Sequence, residues 1–312
     1  MSKQITDTIL MIRPVAFRMN EQTAVNNYYQ KSSDQTPAEI QAEAIQQFDR
    51  FVDVLRVKGI QVIVVNDTPK PETPDSIFPN NWVSFHTDGS VYLYPMFAEN
   101  RRQERRMDIL DELEADFNIE NIKDFTAWES KQGFLEGTGS LILDRPNALA
   151  YAAISERTME APLKEFCEKT GFKAVTFRAN QTVDGKRLPI YHTNVMMCLG
   201  EGFAVVCMES IDDVTERQML ADVLNQTGKE LIEITEHQKE HFAGNMLQVQ
   251  STSGQKMVVM SADAFHSLTD DQKSRLAKHG ELVYSDISTI EMLGGGSARC
   301  MMAEVFLPKK GK

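Results

Sequence analysis

The sequence lacks the features that mark several large classes of protein. Its 312 residues include only four cysteines, none of them in a Cys-x-x-Cys pair, and no cluster of histidine, cysteine and aspartate has zinc-ligand spacing. We therefore expect reduced thiols, as in a cytosolic protein, and neither a metal nor an organic cofactor. No apolar run approaches the length of a membrane span, and the polar N-terminal segment contains no signal-peptide core.

Positive charge is also scarce. The formal net charge is −12 at pH 7, and the only basic cluster consists of Arg101, Arg102, Arg105 and Arg106. This charge argues against nucleic acid as a partner. Hydrophobic residues make up 42% of the chain, enough for a sizeable core, and we expect a cytoplasmic protein that does not bind membranes.

The sequence does contain a glycine run ahead of a cysteine. Gly294, Gly295 and Gly296 precede Cys300, and the apolar residues within 297–306 predict a strand. Glycine adopts positive φ easily and lets the backbone pass close to another group. A cysteine near the start of such a strand suits a nucleophile held beside a substrate. The alternative is an inert, buried cysteine after a flexible loop.

The first 65 residues predict a strand, a long loop, a helix and a second strand. The strand covers residues 8–13, and residues 15–35 are polar without a clear period, which is typical of a functional or mobile loop. Thr36 and Glu39 form a capping box around Pro37, and apolar residues then recur with a helical period until Gly59. The apolar run 60–65 predicts a buried strand.

The remaining chain repeats a unit of hairpin, helix and strand. The predicted hairpins pair residues 81–85 with 90–94, 139–143 with 148–152, 194–199 with 203–207, and 245–250 with 256–260. The predicted helices cover about 100–116, 158–169, 213–226 and 269–279, and the strands after them cover 121–125, 173–177, 230–234 and 281–284.

The spacing of these units predicts the architecture. Polar residues at the start of each inner strand lie 51 to 58 residues apart, and such a period indicates a solenoid or a propeller. The last strand, around Cys300, has no helix after it, so we expect it to pair with the first segment. Five units closing head to tail leave no exposed sheet edge. We therefore predict an α/β fold with a single closed domain over residues 1–312.

In a radial fold the polar residues at the strand starts converge on the axis. They are Asn81, Glu136, His192 with Asn194, Asn245 and Cys300. A thiol, an imidazole and a carboxylate suit nucleophilic catalysis, with His192 as acid and base and Glu136 orienting it. A protonated His192 would lower the pKa of the Cys300 thiol. Each residue also has an ordinary alternative: a turn or cap carboxylate, a core histidine, or turn-forming asparagines.

Three motifs resemble those of the pentein superfamily of guanidine-modifying enzymes, which includes arginine deiminases, dimethylarginine hydrolases, succinylarginine dihydrolases and amidinotransferases. The motifs are FLEGTG (134–139), YHTN (191–194) and GGGSARC (294–300), in the order acid, histidine, cysteine over nearly the whole chain. The resemblance implies a five-unit α/β propeller. It also implies that Cys300 is the nucleophile, His192 the acid and base, and Glu136 its partner.

The resemblance further implies a set of substrate-binding residues. Asp75 matches the residue that meets the substrate amine, and Asn81 lies where the family grips the guanidinium group. Arg157 and either Arg101 or Arg102 match arginines that bind the substrate carboxylate, for which bidentate pairing suits arginine. The alternative for these arginines is a solvated position at the start of a helix.

Asn81 and Asn194 depart from the deiminases, which carry aspartates there. An amide both donates and accepts, so it can bind a neutral ureido group, whereas a carboxylate only accepts. The sequence therefore predicts a hydrolase that converts citrulline to ornithine, ammonia and carbon dioxide, and Glu136 keeps arginine open as a substrate. The same residues would also fit an arginine deiminase or dihydrolase, an amidinotransferase, or a non-enzymatic binding protein with this fold. We expect a small amino-acid substrate, a homodimer as one possible assembly, and a lid formed by residues 16–34.

Overall fold

The computed structural model describes residues 3–311 and shows a mixed α/β architecture of short strands and helices. Its strands are β1 (Thr8–Arg13), β2 (Gln61–Asn66), β3 (Val83–Phe85), β4 (Ser90–Leu93), β5 (Asn121–Asp124), β6 (Ile142–Asp144), β7 (Leu149–Ala153), β8 (Lys173–Phe177), β9 (Asn180–Val183), β10 (Lys186–Pro189), β11 (Met197–Leu199), β12 (Phe203–Val206), β13 (Glu230–Glu233), β14 (Leu247–Gln250), β15 (Lys256–Ser261), β16 (Glu281–Ser285) and β17 (Ala303–Glu304).

The helices connect these strands. They are α1 (Glu21–Ala24), α2 (Pro37–Val57), α3 (Met107–Leu113), α4 (Gly137–Ser140), α5 (Glu160–Thr170), α6 (Thr193–Met196), α7 (Val214–Gln226), α8 (Glu236–Glu240), α9 (Ala262–Ser267), α10 (Asp270–Ala277) and α11 (Ser288–Gly294). Short 3₁₀ helices cover Pro79–Asn81, Asn100–Glu104, Thr126–Lys131 and Met208–Ser210.

Within residues 3–311 the strands form five three-stranded sheets and one two-stranded hairpin. The three-stranded sheets have the orders β3-β4-β5, β6-β7-β8, β11-β12-β13, β14-β15-β16 and β17-β1-β2. In each sheet the first pair is antiparallel and the second is parallel. Each parallel pair is joined through at least one helix, because parallel neighbours need a crossover connection. The predicted unit of hairpin, helix and strand is confirmed.

The last sheet joins the two ends of the chain. Ile9 pairs with Glu304 and Leu10 with Ala303 across antiparallel strands, while β1 and β2 run parallel. The prediction that the last strand pairs with the first segment is confirmed. The first segment supplies the crossover helix and parallel strand that the Cys300 unit lacks.

Helix α2, which forms this crossover, could be predicted from local sequence signals. Thr36 Oγ1 accepts from the backbone N–H of Glu39, and the Glu39 side chain accepts from the Thr36 N–H, so the capping box is present. Phe48, Phe51 and Leu55 on one face are fully buried. Burying this apolar face holds the helix against the sheet.

Several predicted element boundaries were wrong, and the largest error concerns residues 297–306. Only Ala303–Glu304 of that run is strand. The backbone N–H groups of Cys300 and Met301 both donate to the carbonyl of Ser297, at 2.9 and 3.3 Å. A chain whose donors close a turn cannot offer them to a sheet, so Cys300 lies on a turn before the strand.

The remaining differences are smaller. The helix predicted for 100–116 is a 3₁₀ turn followed by α3, and the helix predicted for 269–279 is shorter and preceded by α9. The inner strands begin later than predicted, because helical turns precede β3, β6 and β11. The hairpin β9–β10, which turns at Asp184 and Gly185 with positive φ, was not predicted.

The interior of the protein contains several apolar clusters and most of the cysteines. Apolar side chains form four buried clusters among the described residues, the largest around β11 and β12. All four cysteines are free, and Cys198, Cys207 and Cys300 are buried. No helix between residues 3 and 311 combines the length and apolar character needed to cross a membrane.

Candidate active site

Short helical turns ahead of the inner strands carry the predicted polar residues. Asn81 ends the 3₁₀ turn before β3. Glu136 and His192 occupy the N-cap positions of the single-turn helices α4 and α6, and Asn194 lies within α6. Asn245 precedes β14 directly after a turn, with its N–H bonded to the carbonyl of Phe242 at 2.8 Å. The units therefore present these side chains from equivalent places.

The glycine run does what the sequence predicted. Gly295 has a φ of 61° and forms the left-handed C-cap of α11. A Cβ added at Gly294 or Gly296 would lie 2.8 or 2.9 Å from Cζ of Phe78, closer than real Cβ atoms approach. Only glycine lets this backbone pass the Phe78 ring, and the run lines the same buried cavity as Cys300.

A narrow buried cavity brings most of the predicted residues together. Its lining comprises Asp75, Asn81, Arg101, Arg157, His192 and Cys300, together with Asn27, Phe78, Tyr191, Gly294, Gly295 and Gly296. Glu136 lies behind His192, and Asn194 and Asn245 contact the Cys300 thiol. Arg102 is not part of this lining: its Nε donates to the carbonyl of Met96 at 3.1 Å.

His192 and Glu136 form a buried pair. Nε2 of His192 lies 2.7 Å from Oε2 of Glu136, and Oε1 of Glu136 accepts from the backbone N–H of Phe97 at 2.9 Å. Arg157 Nη1 approaches Oε2 to 3.7 Å. Burial raises the pKa of Glu136, but Arg157 and the hydrogen bond from His192 outweigh it and hold the pKa at about 2. Glu136 is therefore ionised at neutral pH.

The protonation state of His192 differs from the expectation. Burial lowers its pKa to about 4. Glu136 acts in the opposite direction and raises the pKa, but the positive charges of Arg157 and Arg101 offset part of that increase. The imidazole is therefore neutral at pH 7, so the histidine cation expected beside the thiol is not formed in advance. Since Nε2 is bonded to an ionised carboxylate, Nε2 carries the proton and Nδ1 is the free base.

Two asparagines hold the Cys300 sulfur. Nδ2 of Asn194 lies 3.3 Å and Nδ2 of Asn245 lies 3.4 Å from Sγ. Asn245 is itself fixed, because its Nδ2 also lies 2.9 Å from the carbonyl of Asn194 and its Oδ1 accepts from the backbone N–H of Arg299. The two amides therefore hold the sulfur atom in a fixed position.

The guanidinium group of Arg101 is hydrogen-bonded to other residues of the protein. Its Nε and Nη2 bond both oxygens of Glu104 at 2.9 Å, and its Nη1 donates to Oδ1 of Asn81 at 2.8 Å. The other end of the Asn81 amide is also bonded, because its Nδ2 donates to Oδ1 of Asn80. Burial raises the pKa of Glu104 to about 7 against the pull of Arg101. Glu104 was not predicted from the sequence, although its i, i+3 spacing from Arg101 was a usable signal.

Arg157 binds the loop between β1 and α2. Its Nε donates to Oδ1 of Asn26 at 2.8 Å, and its Nη2 donates to the carbonyl of Thr23 at 2.8 Å and to the same Asn26 oxygen. The guanidinium carbon also lies 4.9 Å from the centre of the Tyr191 ring. The carboxylate-binding role predicted for Arg157 would therefore require a ligand to replace Asn26.

The same loop covers Asp75. Oδ2 of Asp75 accepts from Asn20 Nδ2 at 2.8 Å and from Thr23 Oγ1 at 3.2 Å. Asn27 Nδ2 donates to the carbonyl oxygens of Gly294 and Gly295. These contacts agree with the predicted lid position of residues 16–34, and they show why polar asparagines and threonine recur in a loop without a sequence period.

Two buried oxygen atoms in the site have no hydrogen-bond partner among residues 3–311. They are Oδ1 of Asp75 and Oδ1 of Asn194. Burial raises the pKa of Asp75, while Arg101 lowers it. Buried acceptors without donors are rare in folded proteins, and they mark positions where a ligand's N–H groups would be bound. Across the described chain, no group of three or more His, Cys, Asp or Glu residues could hold a metal ion.

The chain matches one protein family and shares its fold with solved structures. A family model described as N,N dimethylarginine dimethylhydrolase, eukaryotic, matches residues 13–307. The apo structure of ArgZ, an arginine dihydrolase from the ornithine–ammonia cycle in cyanobacteria, has a TM-score of 0.72 and 18% identity over 96% of this chain and 41% of the ArgZ chain. No curated protein sequence matches the chain.

Two further structures share the fold. The substrate-bound N-terminal domain of ArgZ, with its cysteine changed to serine, gives a TM-score of 0.71 and 16% identity over 96% of this chain and 98% of that domain. A dimethylarginine dimethylaminohydrolase adduct with S-methyl-L-thiocitrulline gives 0.64 and 16% over 97% of this chain and 100% of that chain. The chain thus spans less than half of the complete ArgZ chain.

Proposed function

Because the chain belongs to the family described as eukaryotic N,N dimethylarginine dimethylhydrolase, within the pentein superfamily, we propose that it cleaves a C–N bond at the guanidino carbon of an arginine-like amino acid. The observation that carries the proposal is the meeting of Cys300 with His192 in one buried cavity, backed by the ionised Glu136. Hydrolysis of guanidino C–N bonds with cysteine catalysis is the chemistry of this family and its structural neighbours.

The proposed reaction begins with a proton transfer. Nδ1 of neutral His192 takes the proton of the Cys300 thiol, and the amides of Asn194 and Asn245 stabilise the thiolate. The thiolate attacks the guanidino carbon, and the imidazolium returns its proton to the departing amine. A thiouronium intermediate remains on Cys300. His192 then removes a proton from water, which attacks the same carbon and releases the thiolate.

The substrate class follows from the unpartnered oxygens and the charges. Oδ1 of Asp75 and Oδ1 of Asn194 are acceptors, and a guanidinium group or an α-amine supplies N–H donors. The site and its supports contain three carboxylates (Asp75, Glu104 and Glu136) against two guanidinium groups (Arg101 and Arg157). Burial raises the pKa of Asp75 and brings that of Glu104 to about 7, so a cationic group bound beside them would favour the ionised form of both carboxyls. One negative charge would then be in excess, which favours a cationic substrate.

Citrulline remains the second candidate. Its support is the amide of Asn194, which can donate to a ureido oxygen or accept from a ureido N–H. Asn81 supports it less than the sequence suggested, because both ends of that amide are bonded to Arg101 and Asn80. A dihydrolase would act on both types of group at one site. It hydrolyses arginine with two molecules of water to ornithine, two molecules of ammonia and carbon dioxide.

We also propose that the five sheets are the five units of one closed propeller spanning residues 1–312. The repeated pairing pattern and the β17–β1 closure support this arrangement. A cytosolic location and a homodimer stay predictions from the sequence.

A substrate panel tests the function. The protein is incubated with arginine, methylated arginines, citrulline and agmatine, and ammonia, methylamines, citrulline and ornithine are quantified. We expect turnover of a guanidino amino acid, with a covalent adduct on Cys300 in quenched samples by mass spectrometry. Cys300→Ser should remove turnover, whereas the matched control Cys198→Ser should retain it. Binding of these ligands without turnover or adduct would favour a non-enzymatic protein, and transfer to an added amine would favour an amidinotransferase.

A further inference from the structure

A second small cavity lies next to the catalytic residues among the inner strands. Its wall combines polar and apolar residues, and much of it comes from β6, β11 and β14. Met246 and Arg299, which neighbour Asn245 and Cys300 in the chain, are part of the wall. The cavity has a volume of about 20 Å³, which is room for one small ion or one water molecule.

The charged groups of this cavity are Arg145, Arg299 and Glu304. Arg299 is compensated, since its Nη2 donates to Oε2 of Glu304 at 2.7 Å and its Nη1 donates to the carbonyl of Met302. Arg145 is 6% exposed, and its Nη1 donates to Nδ1 of His86 at 3.3 Å. Among residues 3–311, no carboxylate lies within salt-bridge distance of Arg145.

The charge balance of the cavity is therefore positive. Two guanidinium groups share one carboxylate, and arginine does not release its proton in proteins. His86 adds no negative charge: burial lowers its pKa well below the usual value, so the ring is neutral and serves as an acceptor. One carboxylate cannot balance two buried guanidinium groups, so the site has a reason to bind an anion.

We propose that this cavity binds one small inorganic monoanion, such as chloride or bicarbonate, between Arg145 and Arg299. The narrow volume excludes anions as large as an amino acid or gluconate, and the carboxylate of Glu304 in the same wall disfavours a second negative charge. The Phe306 ring, 4.0 Å from the Arg145 guanidinium carbon, covers one face of the cation and leaves its edge for the anion. The proposal is independent of the substrate of the neighbouring cavity.

Thermal unfolding of the full chain at constant ionic strength tests the proposal. Chloride, bromide or bicarbonate replaces gluconate, whose anion is too large for the cavity. We expect the Tm to rise saturably with the small anion, by about 2 °C at tenfold the half-saturating concentration. Arg145→Gln should remove the rise. The matched control Arg50→Gln, which changes an exposed arginine, should keep it.

A second measurement needs no variant. Crystals of the wild-type protein in bromide should show one anomalous scatterer within hydrogen-bond distance of Arg145, and chloride or bicarbonate should displace it. A rise in Tm with bicarbonate but none with chloride or bromide, and no bromide in the cavity, would contradict a site for small monoanions in general. The proposal would be overturned if gluconate changed the Tm as much as chloride does, if Arg145→Gln kept the rise, and if no bromide were found in the cavity. The cavity would then hold only water.

Discussion

Nε2 of His192 lies 2.7 Å from Oε2 of Glu136, and both side chains are at most 2% exposed. The contact determines the tautomer of the imidazole, because an ionised carboxylate holds the proton on Nε2 and leaves Nδ1 as the base. It also places a negative charge where the imidazolium of the proposed mechanism would form. The first two predictions test the negative charge of Glu136 and the neutral state of His192.

Glu136→Gln should lower kcat by roughly 10²–10⁴-fold, with a smaller change in KM. The amide oxygen can still accept from Nε2, so the ring stays in place, but the charge that stabilises the imidazolium is lost. Steady-state kinetics on the best substrate of the panel measure the effect. Glu114→Gln, which changes an exposed carboxylate of the same type, is the control. A kcat within a factor of three of wild type would show that Glu136 has no catalytic role.

The pH dependence of kcat/KM should reveal the low pKa of His192. The free-base form is present above about pH 4, so kcat/KM should hold down to pH 5 and fall only as the pH drops through about 4. An ordinary histidine would produce this loss near pH 6.5. A buffer series from pH 3.5 to 8, with circular dichroism to confirm folding, makes the measurement. An acid limb centred near 6.5 would contradict the neutral state derived from burial.

Arg157→Lys should mainly raise KM for amino-acid substrates, by about tenfold or more, because an ammonium group cannot form the forked pairing that a carboxylate requires. Agmatine, which lacks the carboxylate, should lose far less. The comparison of KM for arginine and agmatine in wild type and variant measures the effect, with the exposed Arg178→Lys as control. Equal losses for both substrates would assign Arg157 to holding the loop at Asn26 instead.

Glu291 should make the free energy of unfolding depend on pH between about 4.5 and 8. Oε1 of this buried carboxyl accepts from Oγ of Ser297 at 2.6 Å, and burial raises its pKa to about 8. The folded chain keeps this proton up to about pH 8, whereas the unfolded chain loses it near 4.5. The resulting stabilisation is complete below pH 4.5 and is lost as the pH rises towards 8, at about 1.4 kcal/mol per pH unit.

Glu291→Gln keeps the acceptor for Ser297 and removes the titration. Urea unfolding from pH 5 to 9 should therefore show a falling free energy of unfolding for wild type and a flatter curve for the variant. Glu114→Gln should follow the wild-type curve. Parallel curves for wild type and Glu291→Gln would mean that Glu291 is already ionised in the folded protein.

The sequence by itself determined the repeated unit, the pairing of the last strand with the first segment and the placement of several of the residues that line the cavity. These features rest on local or periodic signals: the capping box at Thr36, the apolar run that pairs at Ile9, and polar residues placed once per unit. Such signals survive without knowledge of the packing, because hydrogen-bonded turns and alternating strands depend on near neighbours. The resemblance stated from the sequence is confirmed by the family model that matches residues 13–307.

Only the tertiary structure decided the state of each group in the site. The contact of Arg157 with Asn26 joins residues 131 positions apart, and no local pattern specifies it. The neutral state of His192 depends on complete burial beside two arginines. Cys300 lies on a turn because its N–H bonds to Ser297, although its apolar neighbours favour a strand. Burial and long-range contacts set charge and orientation, and these arise only when the five sheets come together.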